Sequence, residues 1–249
     1  MATVTTRTTA ARVPMVRPSL PPAARVWSGF QDIFRSGQLT NGRHVRRLED
    51  SVCEFLDVPH CVAVSSCTVG LTLLLRALEL TGEVILPSFT FFATGHALLW
   101  NNLVPVFCDS EPSSFNLDPD WVEGLVTPRT SAVLAVHVYG NPADAERLEQ
   151  IAEGHRLRLI FDSAHAFGSR HNGRRVGAFG DAEVFSLSPT KVMTAGEGGL
   201  ITTRHPALAA TLRKARNYGD PGTYDCDLPG LNARMTEFQA LGPETRSCG

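Results

Sequence analysis

The sequence predicts an α/β fold, a mainly parallel central sheet flanked by helices. Two observations carry this. Short β-rich runs alternate with helical periodicity along the chain, the pattern of a parallel sheet with helices on both faces. The 249 residues are also 43% hydrophobic and 19% charged, which is enough apolar material for a full core. No internal repeat or low-complexity linker divides the chain, so one domain is expected over residues 15–240.

The elements follow in order. Residues 1–14 lack an apolar signal core and are expected as a disordered tail, although their Thr, Ala and Arg content faintly resembles a transit peptide. Helices are predicted over 27–36 and 43–56, the second from Val45, Leu48, Val52 and Phe55 at helical spacing. Residues 61–64 read as a strand. Ser65-Ser66-Cys67-Thr68 reads as a turn with N-cap chemistry, opening a leucine-rich helix over 69–80. A strand at 84–86 ends at Pro87, a helix covers 94–100, and a strand covers 104–108. A short helix at 120–126, a buried strand at 131–138 and an amphipathic helix at 143–153 come next. Strands at 158–161, 183–187 and 200–203 complete the sheet, and a helix covers 206–217. Residues 231–240 read as the opening of a helix that Pro243 stops early, and 241–249 as an atypical tail without apolar periodicity.

Composition excludes several classes. A net charge of -2 with no long basic run argues against nucleic acid as the partner. No apolar stretch approaches the ~18 residues that span a membrane. Six cysteines show no Cys-x-x-Cys pair, which suits buried free thiols in a reducing, cytoplasmic compartment and assigns no metal site.

The chemistry centres on Lys191, in Phe185-Ser186-Leu187-Ser188-Pro189-Thr190-Lys191, with the glycine-rich run Ala195-Gly196-Glu197-Gly198-Gly199 after it. Asp162 closes the apolar run at 157–161. A late amine and a carboxylate at a strand end suit pyridoxal phosphate. That cofactor needs a lysine for its aldehyde and an acid near its ring nitrogen. Its phosphate needs amides at a helix N-terminus, which the turn at Ser65–Thr68 supplies, and Ser186 offers a further hydroxyl. Phe89, Phe91 and Phe92 are candidates to stack on the ring, and His165 to reach its hydroxyl. A lone lysine, histidine or phenylalanine has a plain structural reading, so the order of these pieces matters more than any one.

In that order the chain resembles the DegT/StrS-type sugar aminotransferases, of type I aminotransferase fold. The resemblance runs from about residue 16 to 240. Its pieces include Ser66-Cys67-Thr68-Val69-Gly70, Pro87-Ser88-Phe89-Thr90-Phe91, Val136-His137-Val138-Tyr139-Gly140, Asp162-Ser163-Ala164-His165, the Lys191 segment, Arg216-Asn217-Tyr218-Gly219 and Asn232-Ala233-Arg234-Met235-Thr236-Glu237. The resemblance implies that Lys191 forms the Schiff base and shuttles a proton. It implies that Asp162 pairs with the pyridinium nitrogen, Phe91 stacks on the ring, and Cys67, Thr68 and Ser186 hold the phosphate. It gives His165 the ring oxygen, where many relatives have glutamine. It further implies that Asn217 reaches the cofactor phosphate of a neighbouring subunit, making the active unit a homodimer. Thr40 and Gly42 would face the substrate, though a helix-capping role suits them equally.

The implied function is transfer of an amino group from an amino acid, glutamate in the family, to a keto-deoxysugar nucleotide in amino-sugar biosynthesis, for polysaccharide or antibiotic. Lys191 argues against the dehydratase branch, which carries histidine there. Relatives continue for a small C-terminal domain that this sequence lacks, so a truncated, catalytically impaired remnant is the alternative expectation. A dinucleotide-binding oxidoreductase would need Gly-x-Gly-x-x-Gly at the first strand-to-helix turn, and residues 65–70 do not provide it.

Overall fold

A computed structural model describes residues 17–244. The tail expected at 1–14, Cys248, and the last part of the segment expected as atypical lie outside the described residues. The elements are α1 (Ala23–Ser36), α2 (Arg43–Leu56), β1 (His60–Val64), α3 (Cys67–Ala77), β2 (Glu83–Pro87), α4 (Phe92–Trp100), β3 (Val104–Cys108), α5 (Pro119–Leu125), β4 (Thr130–Val136), α6 (Ala145–His155), β5 (Arg158–Asp162), the small hairpin β6 (Arg170–His171) and β7 (Arg174–Arg175), β8 (Ala182–Ser186), β9 (Gly199–Thr203), α7 (Pro206–Ala215) and α8 (Glu237–Glu244).

Seven strands form one sheet in the order β1-β9-β8-β5-β4-β2-β3. All run parallel except β9, which is antiparallel to both neighbours. Alternation along each strand divides the core in two. Cys61, Ala63, Val133, Ala135 and Phe161 face α2, α5 and α6. Val62, Val64, Ala132, Leu134 and Ile160 face α3, α4 and α7. A strand whose successive side chains point to opposite faces is buried on both only when helices cover both, so these strands read as continuous apolar runs.

Helix starts follow from capping. Ser66 Oγ accepts from Val69 N–H at 3.1 Å, Asp118 from Asp120 N–H at 3.0 Å, and Asp144 from Arg147 N–H at 3.2 Å. The leucine-rich helix ends at Ala77, earlier than its periodicity suggested, and the chain turns left-handed at Glu79.

Two sequence expectations need correction. Residues 231–236 are not helical. They form extended bridges, Asn217 with Asn232, Val64 with Arg234 and Thr40 with Thr236, and Ala233 and Met235 are buried. The helix begins at Glu237, behind a capping box in which Thr236 Oγ1 accepts from Gln239 N–H at 3.2 Å and Gln239 Oε1 accepts from Thr236 N–H at 2.9 Å. Pro243 does not stop it, since it lies inside α8, which is described as far as Glu244. The amide that proline lacks would serve a single bond. Ala240 and Leu241, buried beside it, hold the turn in the core.

Candidate active site

In an open α/β sheet ligands bind beyond the carboxyl ends of the parallel strands. Here β1 leads into the turn at Ser65–Cys67, β4 into the 3-10 turn Val138–Gly140, β5 ends at Asp162, and β8 ends at Ser186. Because β9 runs the other way, its first residue, Gly199, lies at the same edge. A Cβ on Gly199 would meet the Ser66 carbonyl carbon at 2.6 Å and Cys67 N at 2.7 Å. Glycine therefore lets the N-terminus of α3 lie directly against β9.

Cys67, Thr68, Phe91, Asp162, His165, Ser186 and Lys191 all line one cavity of ≈ 760 Å³ at this edge. Lys191 lies in the β8–β9 loop, its N–H bonded to Ser188 O at 3.0 Å. The loop is closed by Leu187 N–H to Gly198 O and Ala195 N–H to Leu187 O, each 2.9 Å. Gly198 sits at φ +155°, where an added Cβ would meet Met235 Cε at 2.8 Å.

Asp162 is buried. Its Oδ2 accepts from Thr94 Oγ1 at 2.7 Å and its Oδ1 from Ala164 N–H at 3.2 Å. It makes no ion pair among the described residues, and spare lone pairs face the cavity. Burial pushes its carboxyl above the usual range, while the Thr94 hydroxyl, the Ala164 amide, and His165 and Lys191 pull it down. Burial lowers the Lys191 ammonium, against the attraction of Cys67 and Asp162. His165 is lowered by burial and then by Lys191. Burial raises the Cys67 thiol, with Asp162 adding to it.

This donor set fits a phosphorylated pyridine aldehyde. A buried carboxylate without a cationic partner suits a protonated ring nitrogen. Partly desolvated Lys191 gives up its proton more readily than an exposed lysine does. Cys67 and Thr68, the first amides of α3, have no intrahelical acceptor, and the helix dipole favours an anion there.

The other expected residues lie elsewhere in the chain. Thr40 and Asn217 line a separate cavity of ≈ 380 Å³ with Arg213 and Arg234. Gly42 is the N-cap residue of α2, its N–H donating to Glu237 Oε1 at 2.8 Å. Sequence reasoning assigned no role to Thr94, which braces Asp162, or to Tyr139, which lines the cavity. Thr90 and Thr94 stand four apart at a helix start, which is the trace they leave in the sequence.

A family model described as the DegT/DnrJ/EryC1/StrS aminotransferase family matches residues 24–242. The chain is 36% identical over 230 residues to dTDP-4-amino-4,6-dideoxy-D-glucose transaminase of Escherichia coli, covering 92% of itself and 62% of that protein. It is 43% identical to erythromycin biosynthesis sensory transduction protein EryC1 of Saccharopolyspora erythraea, covering 84% of itself and 58% of that protein. Among solved structures, DesI with its TDP-sugar product superposes with a TM-score of 0.88 at 46% identity, over 92% of this chain and 59% of that one. Ntda of Bacillus subtilis with bound cofactor PMP superposes with a TM-score of 0.83 at 28% identity, over 90% and 52%. The chain thus spans less than two thirds of the length of these relatives.

Proposed function

The chain belongs to the DegT/DnrJ/EryC1/StrS aminotransferase family, and we propose that it moves an amino group from an amino acid, glutamate, to a keto-deoxysugar carried on a nucleotide. The family is pyridoxal-phosphate-dependent. When bound, that cofactor supplies an aldehyde that captures amines and a cationic ring that withdraws electrons from the carbon losing its proton.

The observation that carries the proposal is Lys191 and Asp162 in one cavity with the N-terminus of α3. Asp162 keeps the ring nitrogen protonated through its cavity-facing lone pairs. Lys191 Nζ, lowered by burial, takes and returns the proton at the substrate carbon. Cys67 and Thr68 amides and the Ser186 hydroxyl hold the phosphate. Phe91 covers the ring, and His165 contacts the ring oxygen. Asn217, on a separate surface with Thr40, reaches a neighbouring subunit's cofactor phosphate, which makes the active unit a homodimer. Five free thiols among the described residues suit a cytoplasmic setting, and no helix there is long and apolar enough to cross a membrane.

The test is release of 2-oxoglutarate when glutamate meets the cofactor-loaded chain, followed by amination of a nucleotide-linked keto-deoxyhexose. Stoichiometric 2-oxoglutarate is expected. If another amino acid gives its keto acid instead, only the donor is wrong. If none does, the chain is a cofactor-binding protein without turnover.

A further inference from the structure

Two exposed rings, Phe89 and Tyr139, line the cavity, and the exposed ring of Phe115 is contiguous with them. Phe89 packs on Phe115 at 5.5 Å and edge-on to Tyr139 at 6.3 Å, between ring centroids. Tyr139 lies parallel to the His165 ring, 6.2 Å away at 9°. Tyr139 is 74% exposed, and Phe115 and Phe89 are about half exposed. Contiguous exposed rings on a soluble surface mark a binding site more often than isolated ones do.

The backbone under these rings is strained. Tyr139 sits at φ 54° and Phe115 at φ 62°, left-handed values that bulky residues rarely adopt. Asn116, 3% exposed, holds the Tyr139 turn in place. Its Oδ1 accepts from Val138 N–H at 2.9 Å and its Nδ2 donates to Asn141 O at 3.1 Å, so one buried amide spans the whole Tyr139 turn. Gly140 (φ +85°) lets that turn approach His165, whose carbonyl oxygen an added Cβ would meet at 2.8 Å. Strain kept by a buried clamp at a cavity mouth points to a ring held in place for binding.

We infer that Tyr139, backed by Phe89 and Phe115, is the platform on which the apolar C–H face of the substrate's hexose ring lies. The electron-rich ring face attracts the weakly positive C–H hydrogens of a sugar, and the stripped face of a deoxyhexose adds apolar contact. Position favours the hexose over the nucleobase. Tyr139 and Phe89 line the same cavity as Lys191. The base is separated from the reacting carbon by the hexose, two phosphates and a pentose. This inference rests on the sugar-nucleotide reading above.

The experiment is calorimetric titration of the cofactor-loaded chain with dTDP-glucose and with dTDP, for wild type, Tyr139→Phe, Tyr139→Ala and Tyr139→Gly. Glycine is at ease at φ 54°, so Tyr139→Gly removes the ring while relieving strain and should melt no lower than wild type. Loss of the ring should weaken dTDP-glucose about tenfold and leave dTDP within about twofold, while Tyr139→Phe binds both like wild type. Equal loss for both ligands places the base on the platform and overturns the inference alone, as does no loss for either. Failure of the wild type to bind dTDP-glucose, UDP-glucose or GDP-glucose overturns the substrate reading together with the inference.

Discussion

Thr94 donates its hydroxyl hydrogen to Asp162 Oδ2 at 2.7 Å, and Thr90, 2.8 Å from it, supplies the hydrogen that Thr94 accepts. With its single hydrogen on the carboxylate, Thr94 must accept from Thr90. The first turn of α4 thus braces the buried acid at the end of β5 and leaves the acid's remaining lone pairs to the cavity.

Thr94→Val should move the acid's titration. A donor to the ionised carboxylate lowers its pKa, so removing it raises a group that burial already raises. If the ring nitrogen requires ionised Asp162, cofactor affinity in the variant should fall away at a higher pH than in wild type as pH is lowered. Thr94→Ser, which keeps the hydroxyl, should track wild type. Identical affinity-against-pH curves for Thr94→Val and wild type would remove Asp162 from the ring nitrogen.

Lys191→Ala should lose the mass adduct that borohydride traps between cofactor and chain. In wild type the adduct should form with a pH midpoint below ~10.4, the value of an exposed lysine, because burial favours the uncharged amine. Asp162→Asn should shift that midpoint lower still, since the carboxylate's attraction raises the Lys191 pKa. An adduct persisting in Lys191→Ala identifies another amine.

Glu237→Ala should destabilise the fold through the start of α2. The Glu237 carboxylate accepts from the N–H of Gly42 and His44 at 2.8 Å each and of Val45 at 3.0 Å, capping α2 from α8. Leaving three buried amides unpaired should cost about 2–4 kcal/mol in chemical denaturation. Glu237→Gln, which keeps one acceptor oxygen, should cost less. A midpoint unchanged in both variants would mean that water replaces the cap.

Mixing Lys191→Ala with Asn217→Ala chains tests the shared site. Each variant alone should be inactive or weakened. In a mixed dimer, one of the two sites holds both substitutions and the other none, so activity should reappear on mixing. No recovery, with exchange of subunits confirmed by mass, would confine Asn217 to its own chain.

The strands, most helices and the residues gathered around Lys191 were legible because their signals are local. Short continuous apolar runs set the strands, and Ser66 capping set α3. Asp162, Ser186 and Lys191 each stand at a strand end or just past one, where the sheet's own geometry collects them. The segment at 231–240 misled because Met235 and Phe238 stand at helical spacing. Their order is decided by bridges to Thr40, Val64 and Asn217 and by the capping box at Thr236. Pro243 misled because a proline removes one bond of the helical ladder, and burial of Ala240 and Leu241 beside it offsets that loss.

By itself the sequence determined the sheet-and-helix alternation and the capped α3, since each depends on neighbours in the chain, and it supplied in order the residues that the structure gathers around Lys191. The tertiary structure alone decided that Thr40 and Asn217 stand apart from Lys191 and that Gly42 serves the cap of α2. It also decided that Thr94 holds Asp162 and that Asn116 presents Tyr139. Those relations join residues tens to hundreds of positions apart. Only a closed core brings such groups within hydrogen-bond reach, because the entropy of looping the intervening chain is met by burial of the whole sheet rather than by any one pair.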